Sequence, residues 1–218
     1  MKEDVLKAYK LVIFDWDGTL MDSVPRIIAS FRNTADSMPH LPHHSDEAFK
    51  ATIGLSIEVA FRQLYPLASD DEHQRLLQTF RHFFLNDDAL SKPLFPGAIP
   101  IINKLKDEGC LVAVATGKKR EGLKRDMALV SLSNTFDATR SADETASKPD
   151  PLMIEQLLEE LKCDKESAVL VGDSHHDMLL AKNAGIDAIG VTYGVSDRQT
   201  LSSYGPVALV DDLRELIA

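Results

Sequence analysis

Two aspartates one residue apart, Asp15 and Asp17 in the run DWDGTL, are the first side chains in this sequence whose spacing could do chemistry. On extended backbone alternate side chains point the same way, so both carboxylates face one side, and Gly18 lets the chain turn sharply straight afterwards. Close carboxylates repel, and the usual remedy is a bound cation or a shared proton. Oxygen-only donors favour a hard ion, for which Mg²⁺ is the natural choice. Asp173, with Asp177 one helical turn later, supplies further carboxylate. Alone, a DxD suits a solvated turn or a helix cap; beside the other polar positions that becomes the minor reading.

Thr116-Gly117-Lys118 combines a hydroxyl, accessible backbone N–H groups and the start of a predicted helix, which together make an anion site. Ordinary N-capping by Thr116 would also account for it. Lys148 precedes Pro149, which pushes its backbone towards an extended form. A lone lysine is most often a surface charge; beside several carboxylates and a phosphate it would balance charge.

These residues need a frame that gathers them. Four apolar runs, LVIFD (11–15), LVAVAT (111–116), AVLVGD (168–173) and AIGVTYG (188–194), read as strands buried on both faces, with Phe136-Asp137-Ala138 a weaker fifth. Helical patterns lie between them. Ile101, Ile102 and Leu105 form a stripe closed by Gly109. Ile154, Leu157, Leu158 and Leu161 follow i, i+3, i+4, i+7 behind Asp150-Pro151 as N-cap and N1. Another helix should run from Ser174 through Met178 and Leu179 to about Asn183, with Gly185 as its stop. Strands alternating with helices imply parallel βαβ units, an α/β class with a Rossmann-like parallel sheet and helices on both faces. In such sheets ligands bind beyond the carboxyl ends of the strands. Asp15, Thr116 and Asp173 stand at those ends.

One stretch breaks the rhythm. Between the first two strands lie almost a hundred residues without a strand-like run, with Ile27, Phe31, Ala35 and Met38 on one helical face and Leu76, Phe80, Phe83 and Phe84 on another. Residues 22–92 are therefore expected to form an inserted α-helical subdomain, and residues 1–21 and 93–218 the core, with Pro93 to Gly97 as the return linker.

The 218 residues are 44% hydrophobic and 27% charged, an ordinary globular balance, with a net charge of −10 from 24 basic and 34 acidic side chains. That balance opposes non-specific binding to nucleic acid, yet leaves room for a small anion held by a few local cations. Cys110 and Cys163 show no metal spacing and are expected as reduced thiols. No early apolar run is long enough to span a bilayer, so a cytoplasmic protein without a membrane partner is expected.

Taken in order, DWDGTL with Asp22-Ser23, VAVATGK, SKPDP, VGDSHHDMLLAKNAG and GVTYG closely resemble the haloacid dehalogenase-like hydrolase superfamily, in its phosphoglycolate phosphatase-like branch with a helical cap. The resemblance covers essentially the whole chain; its first and fourth pieces are highly specific. It implies an Mg²⁺-dependent phosphatase acting on a small phosphomonoester, phosphoglycolate-like or a sugar phosphate. By position it implies Asp15 as nucleophile, forming an aspartyl-phosphate, and Asp17 as general acid and base, its carbonyl helping to hold the metal. Thr116 and Gly117 would bind phosphoryl oxygens, and Lys148 would bridge Asp15 and the phosphate. Asp15 and Asp173 would ligate Mg²⁺, with Asp177 orienting that site.

For the cap, Gly54 in ATIGLS is a loose match to a substrate loop. Lys50, Arg26 and Arg62 are candidate substrate cations for which a solvated helix face is the better reading. His40, His43 and His44 read as a polar loop, His175 and His176 as variable loop residues, and Trp16 as packing. Asp17 argues against a dehalogenase, which has no use for an acid/base carboxylate there, and against a phosphonate-cleaving relative, which would need a cap lysine such as Lys50. A phosphosugar mutase keeps the same core residues; a silent phosphate-binding or regulatory protein should have lost one. Monomer and homodimer are both compatible with the sequence.

Overall fold

The structure is a computed structural model that describes residues 5–86 and 93–217. The expected end of the helical insert at residue 92, and the first four residues of the core, lie outside the described residues. Six strands form one all-parallel sheet: β1 (Leu11–Phe14), β2 (Leu111–Thr116), β3 (Ala138–Ser141), β4 (Ala168–Gly172), β5 (Asp187–Val191) and β6 (Ala208–Val210). Their order is β3-β2-β1-β4-β5-β6. This doubly wound order reverses between β1 and β4, so the crevice for a ligand opens beyond their carboxyl ends.

The pleat divides the core into two layers. Val12 and Phe14 face one apolar cluster with α5 (Ala98–Asp107) and α6 (Arg120–Leu129). Leu11 and Ile13 face the other, with α7 (Leu152–Leu161) and α8 (His175–Ala184). Trp16 continues the even face and is wholly buried there. Among the described residues four helices lie between β1 and α5: α1 (Val24–Asp36), α2 (Asp46–Lys50), α3 (Ile57–Leu64) and α4 (Asp70–Asn86), and they share a third cluster around Phe31, Phe49, Phe61 and Leu76. The chain leaves and rejoins the sheet side by side: Phe95 N donates to Leu20 O and Asp22 N to Pro93 O, at 2.9 and 2.8 Å.

The sequence expectations need five corrections in this frame. β3 begins at Ala138, because Asp137 sits at its threshold and ties down β2 through the Val112 N–H and carbonyl. β6, three residues long, was not foreseen. Pro151 takes the N-cap of α7, one residue later than expected, while the Asp150 carboxylate still accepts from Leu152 N at 3.0 Å. On α4, Leu77 joins Leu76, Phe80 and Phe84 against the third cluster, whereas Phe83 packs on the neighbouring His82 ring. Finally, α6 opens at Arg120 with Lys119 as N-cap, so Thr116 does not cap it. Cys110 and Cys163 are free thiols. Among the described residues no helix is long and apolar enough to cross a membrane.

Candidate active site

Asp15 follows β1 and Asp173 follows β4, so the two adjacent central strands deliver both carboxylates to the crevice. Both are buried, as is Asp177 in the first turn of α8. Asp177 is fixed by a capping box: Ser174 N and Oγ donate to its Oδ2 at 3.0 and 2.6 Å, and Asp177 N returns a bond to Ser174 Oγ. Lys148, fully buried just before a cis Lys148–Pro149 peptide, donates to Asp15 Oδ1 at 2.5 Å and Asp177 Oδ1 at 2.6 Å. One cation thus serves two carboxylates.

Asp173 accepts from Thr19 Oγ1 at 3.0 Å and Val195 N at 2.8 Å. Gly18 makes room for it. With φ at +89°, Gly18 turns the chain so closely over Asp173 that a Cβ would stand 2.3 Å from its Oδ2.

These contacts set the charges. Burial drives the Asp15 carboxyl well above the usual range; Lys148 pulls it back, while Asp177 and Asp173 push it further up. Burial, then Asp177, raises Asp173 to about 7 against the Val195 and Thr19 hydrogen bonds. Burial also works against ionised Asp177, but Lys148 and Ser174 outweigh it and hold that carboxyl below the usual range. Lys148 is held above the usual lysine value, since Asp15 and Asp177 overcome the cost of its burial.

Asp15, Asp173 and Asp177 can each offer an oxygen within 4.8 Å of the others, and Asp15 Oδ2 is buried without a partner among the described residues. An orphaned carboxylate oxygen among further carboxylates, all oxygen donors, fits a hard divalent cation. The Asp17 side chain is not in this cluster. It is held instead by Ser23 Oγ, which donates to its Oδ1 at 2.5 Å, and by Lys118 Nζ, 3.1 Å from its Oδ2.

Lys118 also meets Asp126 of α6 at 3.2 Å, and the charge of the two acids holds its pKa up despite burial. The sequence reading gave Lys118 no role of its own. Its decisive partner, Asp126, sits eight residues on, and only the turn of α6 brings the two together.

A cavity of about 430 Å³ opens over these groups, lined on the core side by Asp15, Asp17, Thr116, Gly117 and Lys118. Lys148, Asp173 and Asp177 do not line it; they pack around Asp15. Thr116 Oγ1 accepts from Lys118 N at 3.1 Å, shaping the turn after β2. Gly117 touches the opposite wall: a Cβ there would stand 2.4 Å from the carbonyl oxygens of Gly54 and Leu55.

The helical segment is fastened over the cavity at several points. Ser56 N donates to Ser147 Oγ at 2.9 Å, and Lys119 pairs with Glu58. His176 Nε2–H donates to Ala51 O at 2.9 Å, so His176 is a buried tether rather than a variable loop residue. Arg26 is buried too, its Nε donating to Phe84 O at 2.7 Å, which overturns the solvated-face reading. Arg62 is exposed beside Asp70 as expected, and Lys50 lies outside the cavity lining. His40 pairs with Glu72, and His44 packs edge-on to Tyr65.

Residues 12–191 match the family model described as haloacid dehalogenase-like hydrolase. The chain belongs to that family. It is 35% identical to a Dickeya dadantii protein named "Probable phosphatase IndB", over 95% of this chain and 91% of the relative. It is 29% identical to "Pyrophosphatase PpaX" of Bacillus velezensis, over 97% and 96% of the two chains. Among solved structures, a haloacid dehalogenase-like protein from Bacteroides fragilis superposes with a TM-score of 0.87 at 26% identity, covering 95% of this chain and 99% of that one. The chain is thus a hydrolase with an α/β Rossmann-like core.

Proposed function

We propose that this hydrolase is an Mg²⁺-dependent phosphatase that releases phosphate from a small-molecule phosphomonoester through an aspartyl-phosphate on Asp15. The observation that carries the reading is the state of Asp15. It lines the cavity from a strand end, Oδ1 is held by the buried Lys148 at 2.5 Å, and Oδ2 has no partner among the described residues. A carboxylate so fixed and desolvated is oriented to attack phosphorus. The phosphatase names of relatives matching more than nine-tenths of the chain support the same class.

In this reading Asp15 attacks the phosphorus while Asp17 gives a proton to the departing oxygen. Asp17 then takes a proton from water as the water attacks the phosphorus of the aspartyl-phosphate, which frees Asp15 and phosphate. Thr116 and the backbone at Gly117 hold phosphoryl oxygens on the cavity wall. Lys148 keeps Asp15 in place and offsets charge. Mg²⁺, held by Asp15, Asp173 and the Asp17 carbonyl and oriented by Asp177, would stabilise charge on the transferring group. Lys118 is a positioning residue, holding Asp17 from the side opposite Ser23. Helices α1–α4, within residues 22–92, act as a cap over the cleft.

The test is phosphate release from an aryl phosphate with Mg²⁺, for the wild type and Asp15→Asn. The wild type should turn over and the variant should not, with its thermal unfolding unchanged in character. Retained turnover by a folded Asp15→Asn variant would refute the nucleophile.

A further inference from the structure

What the phosphoryl group is attached to can be read from the rest of the cavity, taking the phosphatase reading as its basis. Four basic side chains line the space: Arg81, Lys118, Lys119 and Arg125. Each already faces an acid. Lys118 lies between Asp17 and Asp126, Lys119 pairs with Glu58, and Arg81 and Arg125 approach Glu121 at 2.8 and 3.7 Å. An anion drawing one of these cations away would keep the displaced carboxylate as a like-charged neighbour. Among the described residues, then, these four cations meet four acids, Asp17, Asp126, Glu58 and Glu121, and the group carries no net positive charge for a second phosphate or a carboxylate on the leaving group.

The wall it does offer is apolar. Leu77, Phe80 and Phe84 of α4 line the cavity and are only half-buried, and Ile27, Phe31 and Ile53 continue the surface. This wall reaches the chemistry directly. Lys118 Nζ, 3.1 Å from Asp17, stands 4.9 Å from the centre of the Phe84 ring. Lys118 thus links Asp17 to the Phe84 ring, which brings the apolar wall close to the oxygen that Asp17 would protonate. At about 430 Å³ the space lies within the ~300–1,000 Å³ range of small-molecule sites.

We infer that the leaving group is an uncharged alcohol with an aromatic or alkyl body, packed on Leu77, Phe80 and Phe84 while its oxygen meets Asp17. The bond broken is phosphorus to alkoxide oxygen. Asp17 supplies the proton that makes the free alcohol, and water supplies the oxygen that leaves as phosphate.

The experiment compares kcat/KM, with Mg²⁺, for primary alkyl phosphates of increasing length, phenethyl phosphate, phosphoglycolate and pyrophosphate. Burial of each added methylene should raise kcat/KM about fourfold until the cavity fills. Phenethyl phosphate should exceed phosphoglycolate and pyrophosphate, whose leaving groups are themselves anionic, by about tenfold or more. Leu77→Ala, at a half-buried wall position, should lower kcat/KM for phenethyl phosphate about tenfold while leaving methyl phosphate within about twofold. A flat alkyl series, or faster turnover of phosphoglycolate or pyrophosphate, would overturn the leaving-group inference while sparing the phosphatase reading. Absence of phosphate from every compound would overturn both.

Discussion

Replacing Lys118 by Met should slow the reaction without touching Asp15, and the structure sets the scale. Lys118 Nζ is 3.1 Å from Asp17 and 3.2 Å from Asp126, with only 10% of its side chain exposed. At an effective dielectric of about 20, a pair at that distance attracts by roughly 5 kcal/mol before desolvation is counted. Asp17 keeps its second anchor, the 2.5 Å bond from Ser23. If about a third of the attraction is lost as orientation of Asp17, close to 2 kcal/mol disappears from transition-state stabilisation. That is about a 20-fold fall in kcat at 1.36 kcal/mol per tenfold, below the ~10²–10⁴ attributed to a general acid–base group itself.

The single variant also removes the Lys118 ion pair from Asp126, whose side chain is 2% exposed, and should lower stability as well as rate. Lys118→Met combined with Asp126→Asn removes that complication. The assay is kcat across aryl and alkyl phosphates of graded leaving-group pKa, for the wild type, the double variant and Asp17→Asn. The double variant should lose most on poor leaving groups, and adding Asp17→Asn to it should cost little more than Asp17→Asn alone. Wild-type kcat throughout, or a loss equal for all leaving groups, would refute the positioning of Asp17 by Lys118.

Three other outcomes follow from the same geometry. Lys148→Met leaves Asp15 and Asp177 buried without their shared cation, so urea denaturation should show a loss of about 3–5 kcal/mol, and an unchanged midpoint would count against the ion-pair account. Gly117→Ala puts a Cβ against the Gly54 and Leu55 carbonyls and should cost about tenfold or more in kcat/KM as the loop is pushed away; wild-type kinetics would show that this contact does not form during turnover.

The last concerns pH without divalent metal. Asp173 is raised from 3.8 to about 7, so the fold holds its proton more tightly than the unfolded chain does. Its contribution is complete below about pH 4 and is lost as pH rises through about 7, on the order of 4 kcal/mol at 1.36 kcal/mol per unit. Mg²⁺ should therefore stabilise the protein more at neutral than at acid pH. An Mg²⁺-induced rise in Tm that is independent of pH would contradict that assignment of Asp173.

The residues at the strand ends were legible because buried parallel strands are near-continuous apolar runs, and their first polar residue marks the sheet edge. Asp15, Thr116 and Asp173 were found in this way, and Gly109 and Gly185 marked helix ends through their left-handed backbone. β3, read as ATRS, and the three-residue β6 lack such a run. Their place comes from pairing with β2 and β5, which sequence periodicity does not carry.

Lys118 was passed over, and Arg26 and His176 misread, for a shared reason. Each is a polar side chain whose partner belongs to another element: Asp126 on α6, the Phe84 carbonyl on α4 and the Ala51 carbonyl beyond α2. Charge and spacing alone gave Arg26 a solvated face; the packing of α1 on α4 buries it.

The most direct measurement of the central claim is to trap the phosphoryl group on the protein. Asp17→Asn should still be phosphorylated by an aryl phosphate, whose leaving group needs little protonation, but it should be slow to lose the phosphate because the water is no longer activated. Acid-quenched protein, digested and analysed by mass spectrometry, should carry phosphate on the peptide containing Asp15, and the adduct should be absent from Asp15→Asn. Steady phosphate release with no adduct on Asp15, or an adduct on another residue, would contradict the account.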